Sequence, residues 1–133
     1  MTKVIINGTF DIVHLGHLHL LQYARSFPDS YVYVLIDGDD RVKLLKGQDR
    51  PINNEYERKF LLESLKFVDR VDLFYSDEEL EELIKAYDPD VMVKGSDYKN
   101  RPIIGADYCK KIAFYDYISG YSTTKKIQSI VDR

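Results

Sequence analysis

The chain has 133 residues, 44% of them apolar and 31% charged, and a net charge of −3; that is enough apolar material for one domain with a core, and no basic excess to suit a general nucleic-acid binder or an anionic membrane surface. Cys109 is the only cysteine, which excludes an intrachain disulfide and a cysteine-built zinc site and fits a reducing, cytoplasmic location. The N-terminal apolar run is too short for a signal peptide, and no run approaches the roughly 20 residues of a membrane span.

Val4 to Ile6 is a short β-branched run ending at Asn7-Gly8, the pattern of a buried strand. From Leu15 the spacing turns helical, with Leu18, Leu21 and Tyr23 or Ala24 on one face, until Pro28-Asp29-Ser30 breaks it. Tyr31 to Ile36 is a second strand, closed by Asp37-Gly38-Asp39-Asp40. Residues 41–52 read as a basic, breaker-rich loop carrying Lys43, Lys46, Gly47, Arg50 and Pro51, with room for a short helix before it. Asn53 or Asn54 caps a helix running to about Val68, whose apolar face would hold Phe60, Leu61, Ser64 and Leu65. Val71 to Tyr75 is a third strand, and Ser76 caps a helix over 77–87 that Asp88-Pro89 stops. Its acidic run, Asp77 to Glu82, is a solvated face. Asp90 to Lys94 is a fourth strand, followed by Gly95, a short helix near Gly105 to Lys111, and a fifth strand from Ile112 to Tyr115 or Tyr117. Ser122 caps a last helix to about Val131.

Strands alternating with helices predict an α/β fold: a single Rossmann-like, doubly wound parallel sheet of about five strands covered on both faces. Ligands of such sheets sit outside the carboxyl ends of the strands. Gly8 to His17, Asp37 to Lys46, Gly95 to Tyr98 and Ser122 to Thr124 all fall at that rim.

All three histidines of the chain lie between residues 14 and 19. His14 and His17, at i and i+3 on a helix start, share a face. Helix N-terminal amides favour phosphate, and two imidazoles there can donate to it and stabilise charge that builds during transfer. The same pair could instead fill a turn, or hold zinc, although no third ligand cluster is evident. His19 points elsewhere and reads as a surface residue. Gly8 permits close approach of a ligand to the backbone, and Gly16 lets the chain enter the helix without a side chain in the way. Ser122, Thr123 and Thr124 offer hydroxyls and free amides at a helix start. Lys46 can neutralise phosphate charge. Neither a Walker pattern nor G-x-G-x-x-G occurs.

"NGTFDIVHLGH", residues 7–17, and "YSTTKKI", residues 121–127, resemble the two signatures of the cytidylyltransferase-like nucleotidyltransferases: G-[TC]-F-D with H-x-G-H, and the later S-T-T-x-x-I. The pair occurs in the family's order, over a hundred residues apart. "KLLKGQDRPINNEYERKFLLESLKFVD" and "DPDVMVKGSDY" are most similar to the adenylyltransferase domain of bacterial ADP-heptose synthases. Glycerol-3-phosphate cytidylyltransferases come next, but their R-T-x-G-I-S-T-T segment is replaced here by "YDYISGYSTT", without the arginine.

The resemblance implies a HIGH-motif nucleotidyltransferase domain over residues 1–133, in the stand-alone form without a kinase domain. It would join a nucleoside triphosphate, ATP or CTP, to a phosphorylated small-molecule acceptor and release pyrophosphate. It implies roles for His14, His17 and Lys46 in catalysis. It places Gly8, Thr9, Phe10, Gly16, Arg58, Gly95, Asp97, Ser122, Thr123 and Thr124, with Lys46, around the nucleotide. Asp11, Asp37 and Tyr98 are candidates for the acceptor, Asp11 being equally suited to cap the helix near His14. Arg58 could instead pair with Glu55 on a helix surface. Mg²⁺ is the expected counter-ion of the triphosphate. No nucleic acid or membrane partner is expected. A homodimer is, with Tyr115, Tyr117 and Tyr121 as candidates to face a partner. Cys109 reads as a small buried filler. A catalytically silent nucleotide-binding sensor and a metal-binding protein are the readings from other classes.

Overall fold

A computed structural model of the chain describes residues 1–116 and 123–132. Five strands form one parallel sheet in the order β3-β2-β1-β4-β5: β1 Thr2–Gly8, β2 Ser30–Asp37, β3 Arg70–Phe74, β4 Val91–Gly95 and β5 Lys111–Tyr115. The helices are α1 Leu15–Arg25, α2 Asp39–Lys46, α3 Glu55–Glu63, α4 Asp77–Tyr87 and α5 Thr123–Val131. The strands are those expected from the β-branched runs, each shifted or extended by a residue or two. The short helix near Gly105 is a single tight turn, Ala106–Tyr108.

Strand alternation sorts the core into two layers. Val4, Ile6, Val32, Val34, Ile36, Val91 and Val93 meet Leu20, Leu21 and Ala24 of α1 and Leu62 of α3 on one face. Ile5, Tyr33, Leu35, Phe74 and Met92 meet Leu80 and Ile84 of α4 on the other. β1 pairs with β2 along its whole length, from Thr2↔Ser30 to Gly8↔Ile36. With β4 it pairs only at Val4↔Val91 and Ile5↔Met92. The order of the strands reverses between β1 and β4, and there the sheet opens, as expected of a topological switch point.

Several expectations are corrected. Lys46 is the last residue of α2 rather than part of a loop. α3 ends at Glu63, not Val68, because Ser64, Leu65 and Val68 close tight turns back onto Phe60, Leu62 and Leu65. Its buried face is Arg58 and Leu62, whereas Phe60 is 72% exposed; Leu62 meets the core, and Arg58, nearer the rim, meets loop carbonyls. Asp11 does not cap α1, since His14 does. Tyr115 is partly buried and packs on Tyr23, with ring centroids 5.0 Å apart. Tyr117 and Tyr121 lie outside the described residues, as does Ser122. Cys109 is partly buried against the α4-side core, and burial pushes its thiol up to about 11.

Candidate active site

The rim of the sheet encloses a cavity of about 680 Å³, the size of a small-molecule site. Gly8, Thr9, Phe10 and Asp11 enter it from the turn after β1, and His14 and His17 from the start of α1. Asp37 and Lys46 line it at the two ends of the β2–α2 segment, Gly95, Asp97 and Tyr98 follow β4, and Thr123 and Thr124 open α5. Thr123 Oγ1 donates to the Ile12 carbonyl at 3.2 Å, tying the second signature to the first across 111 positions.

The histidine pair is itself the helix cap. His14 Nδ1 accepts from the Gly16 amide at 3.1 Å, and His17 Nδ1 accepts from the His14 amide at 3.2 Å. The rings stack with centroids 3.9 Å apart. A neutral imidazole that accepts through Nδ1 carries its proton on Nε2. The local fold therefore fixes the tautomer in which both rings are Nε2–H donors. Burial, then His14 and then Lys46, push His17 down to about 4. Burial, then Lys126, also lower His14. Phe10, at a left-handed φ of 51°, turns its ring against His17, with centroids 5.0 Å apart. That ring sits over Gly8, where a Cβ would meet Phe10 Cε2 at 3.1 Å, so a side chain at this position would press the ring toward His17.

Two expected residues stand behind the cavity rather than on its wall. Gly16 is buried in the first turn of α1, its amide taken by His14. Arg58 is buried and makes no ion pair with Glu55. Its Nη1 donates to the Thr9 and Asp37 carbonyls at 3.0 and 2.7 Å, Nε to the Asn53 carbonyl at 3.0 Å, and Nη2 to Asp39 Oδ1 at 2.9 Å. Asp11 reaches the wall, yet its carboxylate is spent on the 50–53 segment. It accepts from Arg50 Nε at 3.1 Å and from the Ile52 and Asn53 amides, each at 2.9 Å.

The wall also holds residues the sequence reading missed. Asn7, Arg41, Arg50 and Lys94 line the cavity, with Phe74, Leu80 and Ile103 as an apolar side. Among the described residues, the buried side-chain polar atoms without a hydrogen-bond partner are Asn7 Oδ1, Arg41 Nε and Arg50 Nη2, all on wall residues. Such atoms are uncommon and call for an explanation. Lys94 had a signal, a charge closing an apolar strand, and Asn7 stands next to Gly8 in the first signature. Arg50 had none, because Asp11 brings it in from 39 positions away. Burial pushes the Lys94 ammonium below the ordinary lysine value, and Asp37 and Asp97 oppose that. Among the described residues no group of three or more His, Cys, Asp or Glu is placed to hold a metal ion.

The cytidylyltransferase-like family model matches residues 5–128. The chain belongs to that family. Among similar proteins is the bifunctional protein HldE of Helicobacter hepaticus, 47% identical over 96% of this chain and 26% of that protein. HldE of Campylobacter jejuni subsp. doylei is 43% identical over 98% of this chain and 28% of its own length. This chain thus spans about a quarter of the length of the curated relatives it matches. A crystal structure of the lipopolysaccharide core biosynthesis protein from Thermoplasma volcanium superposes with a TM-score of 0.70 at 25% identity, covering 89% of this chain and 99% of that one. As a cytidylyltransferase-like protein, this chain is a nucleotidyltransferase. No helix among its described residues is long and apolar enough to cross a membrane.

Proposed function

We propose that this nucleotidyltransferase moves a nucleoside monophosphate from ATP to a sugar 1-phosphate of the heptose 1-phosphate class and releases pyrophosphate. The observation that carries the reading is the stacked His14–His17 pair, held as two Nε2–H donors at the start of α1. The similarity to HldE proteins over nearly the whole chain favours the sugar phosphate. An acceptor phosphate oxygen attacks the α-phosphorus in line. The bond from that phosphorus to the β-bridging oxygen breaks, and its electrons leave on pyrophosphate. The two imidazoles would donate to the oxygens on which charge grows, at a site already organised for it. Lys46 and the start of α5, with Thr123 and Thr124, would hold the departing phosphates. Mg²⁺ would come with the triphosphate, ligated by its oxygens and water, a common way of holding this ion; it would screen the triphosphate charge. The buried carboxylates fit that arrangement, because Asp11 and Asp37 are already engaged by Arg50, Thr9 and Arg41.

The test is pyrophosphate release by purified protein with Mg²⁺. ATP and CTP are each offered heptose 1-phosphate, glycerol 3-phosphate or no acceptor. The expected result is release with ATP and heptose 1-phosphate, lowered about 100-fold or more in His17→Ala. Release only with CTP and glycerol 3-phosphate would replace the reading by the alcohol-phosphate one. Nucleotide binding without release under any condition would leave a binding module.

A further inference from the structure

The cavity has two chemically different ends, and strand alternation sets them apart. Ile5, Leu35 and Met92 face the α4-side core. Two residues further along each strand, Asn7, Asp37 and Lys94 therefore emerge on that same side. The histidines belong to α1, which packs on the opposite face. β1 and β4 stop pairing at Ile5↔Met92, so Asn7 and Lys94 stand on either lip of the opening. Phe74, Leu80 and Ile103 back this end with apolar surface.

Two carboxylates and an orphan acceptor disfavour a phosphate at this end. Asp37 is buried, accepting from Thr9 Oγ1 at 3.1 Å and lying 3.5 Å from Arg41 Nε. Asp97 adds a second carboxylate to the wall. Asn7 Oδ1 is buried, has no hydrogen-bond partner, and can only accept. Lys94 makes no ion pair among the described residues; its Nζ lies 4.7 Å from the centroid of the Tyr98 ring. A buried orphan acceptor and a desolvated donor on the two lips of one opening are costly unless a ligand serves them. A hydroxyl group does so, donating to the amide oxygen and accepting from the ammonium. Carbon-bound hydrogens of the same molecule fit the apolar side.

Building on the transfer reading above, we propose that Asn7 and Lys94 bind the hydroxyl-bearing carbon skeleton of the acceptor and set its selectivity, with the acceptor's phosphate directed to the histidine end. The rival occupant of this end is the nucleobase, whose exocyclic amine could also meet Asn7 Oδ1.

Asn7→Leu, similar in shape, and Lys94→Met separate the two. For each, one measures KM for heptose 1-phosphate and the Kd of a non-hydrolysable ATP analogue. The expected result is a rise in acceptor KM of about tenfold, the scale of one lost hydrogen bond to a buried group. The analogue Kd should stay within about twofold of wild type, which also shows that the variants are folded. Weakened analogue binding with an unchanged acceptor KM would overturn the proposal, and so would variants in which neither constant moves. Failure of the transfer reading looks different: a wild type that binds the analogue but releases no pyrophosphate. In that case heptose 1-phosphate titrated calorimetrically into the analogue-bound protein reads the same subsite. Weaker binding to Asn7→Leu than to wild type supports the proposal there. Equal binding, or none to wild type, overturns it.

Discussion

His14 and His17 each answer two demands with different nitrogens. Nδ1 satisfies backbone amides that a helix start would otherwise leave open, and Nε2–H is left as the donor side of the ring. A catalytic and a turn-forming reading of the pair are therefore compatible. The cost appears at low pH. With a value near 4 in the fold against about 6.5 unfolded, His17 is neutral in both states above pH 6.5. Between those values the unfolded chain takes up a proton that the folded chain does not. Stability contributed by the neutral buried ring is thus present above pH 6.5 and falls as the pH drops toward 4, by about 2–3 kcal/mol at pH 4.5. Urea unfolding at pH 7 and pH 4.5 should show this loss, and His17→Asn should lose correspondingly less on acidification. Equal losses in the two proteins would remove His17 from the account.

At the scale of elements, the rim is assembled by two buried side chains acting at long range. Arg58 of α3 gathers the turns after β1 and β2 and the entry to its own helix through the carbonyls of Thr9, Asp37 and Asn53. Asp11 ties the turn after β1 to residues 50–53. A lysine at 58 keeps the charge but not the planar fork, and cannot reach carbonyls in three directions. Arg58→Lys should cost about 2–4 kcal/mol of stability and lower kcat even below the melting temperature. Thermal unfolding and the pyrophosphate assay check the two effects. A variant with wild-type melting would mean that the fork is dispensable. Sequence reading missed this arrangement for a physical reason. The spacing of Phe60, Leu61, Ser64 and Leu65 predicts the inward face of α3, but Phe60 is 72% exposed and the polar Arg58 is inside. Hydrophobic periodicity locates an inward face that meets only core; on α3 Leu62 meets the core while Arg58 meets carbonyls.

For the whole molecule, much more was legible. β-branched runs bounded by Gly, Asp and Pro gave all five strands, and their alternation with helices gave the parallel sheet. The rule that ligands gather at the strands' carboxyl ends then located the cavity. The strand order and the reversal between β1 and β4 could not be read, because pairing partners are long-range choices. The apolar wall from Phe74, Leu80 and Ile103 was hidden for the same reason. Asn7 and Lys94 were passed over because a polar residue ending a buried strand looks like a boundary until its neighbour across the sheet is known.

The short seam between β1 and β4 has a consequence for amide exchange. On one side β1 is laddered to β2 from Thr2 to Gly8; on the other its bonding begins at Lys3 with Asp90 and the pairing ends at Ile5. Backbone groups of β1 and β4 that face each other beyond Ile5 and Met92 look into the crevice instead of into a ladder. Deuterium should enter there through small local openings, while the β1–β2 ladder waits for large-scale unfolding. Adding nucleotide and acceptor together should slow that entry, giving an isotopic record of crevice occupancy that needs no turnover. Uniform protection along β1 without ligand would mean that the two central strands are closed against each other in solution.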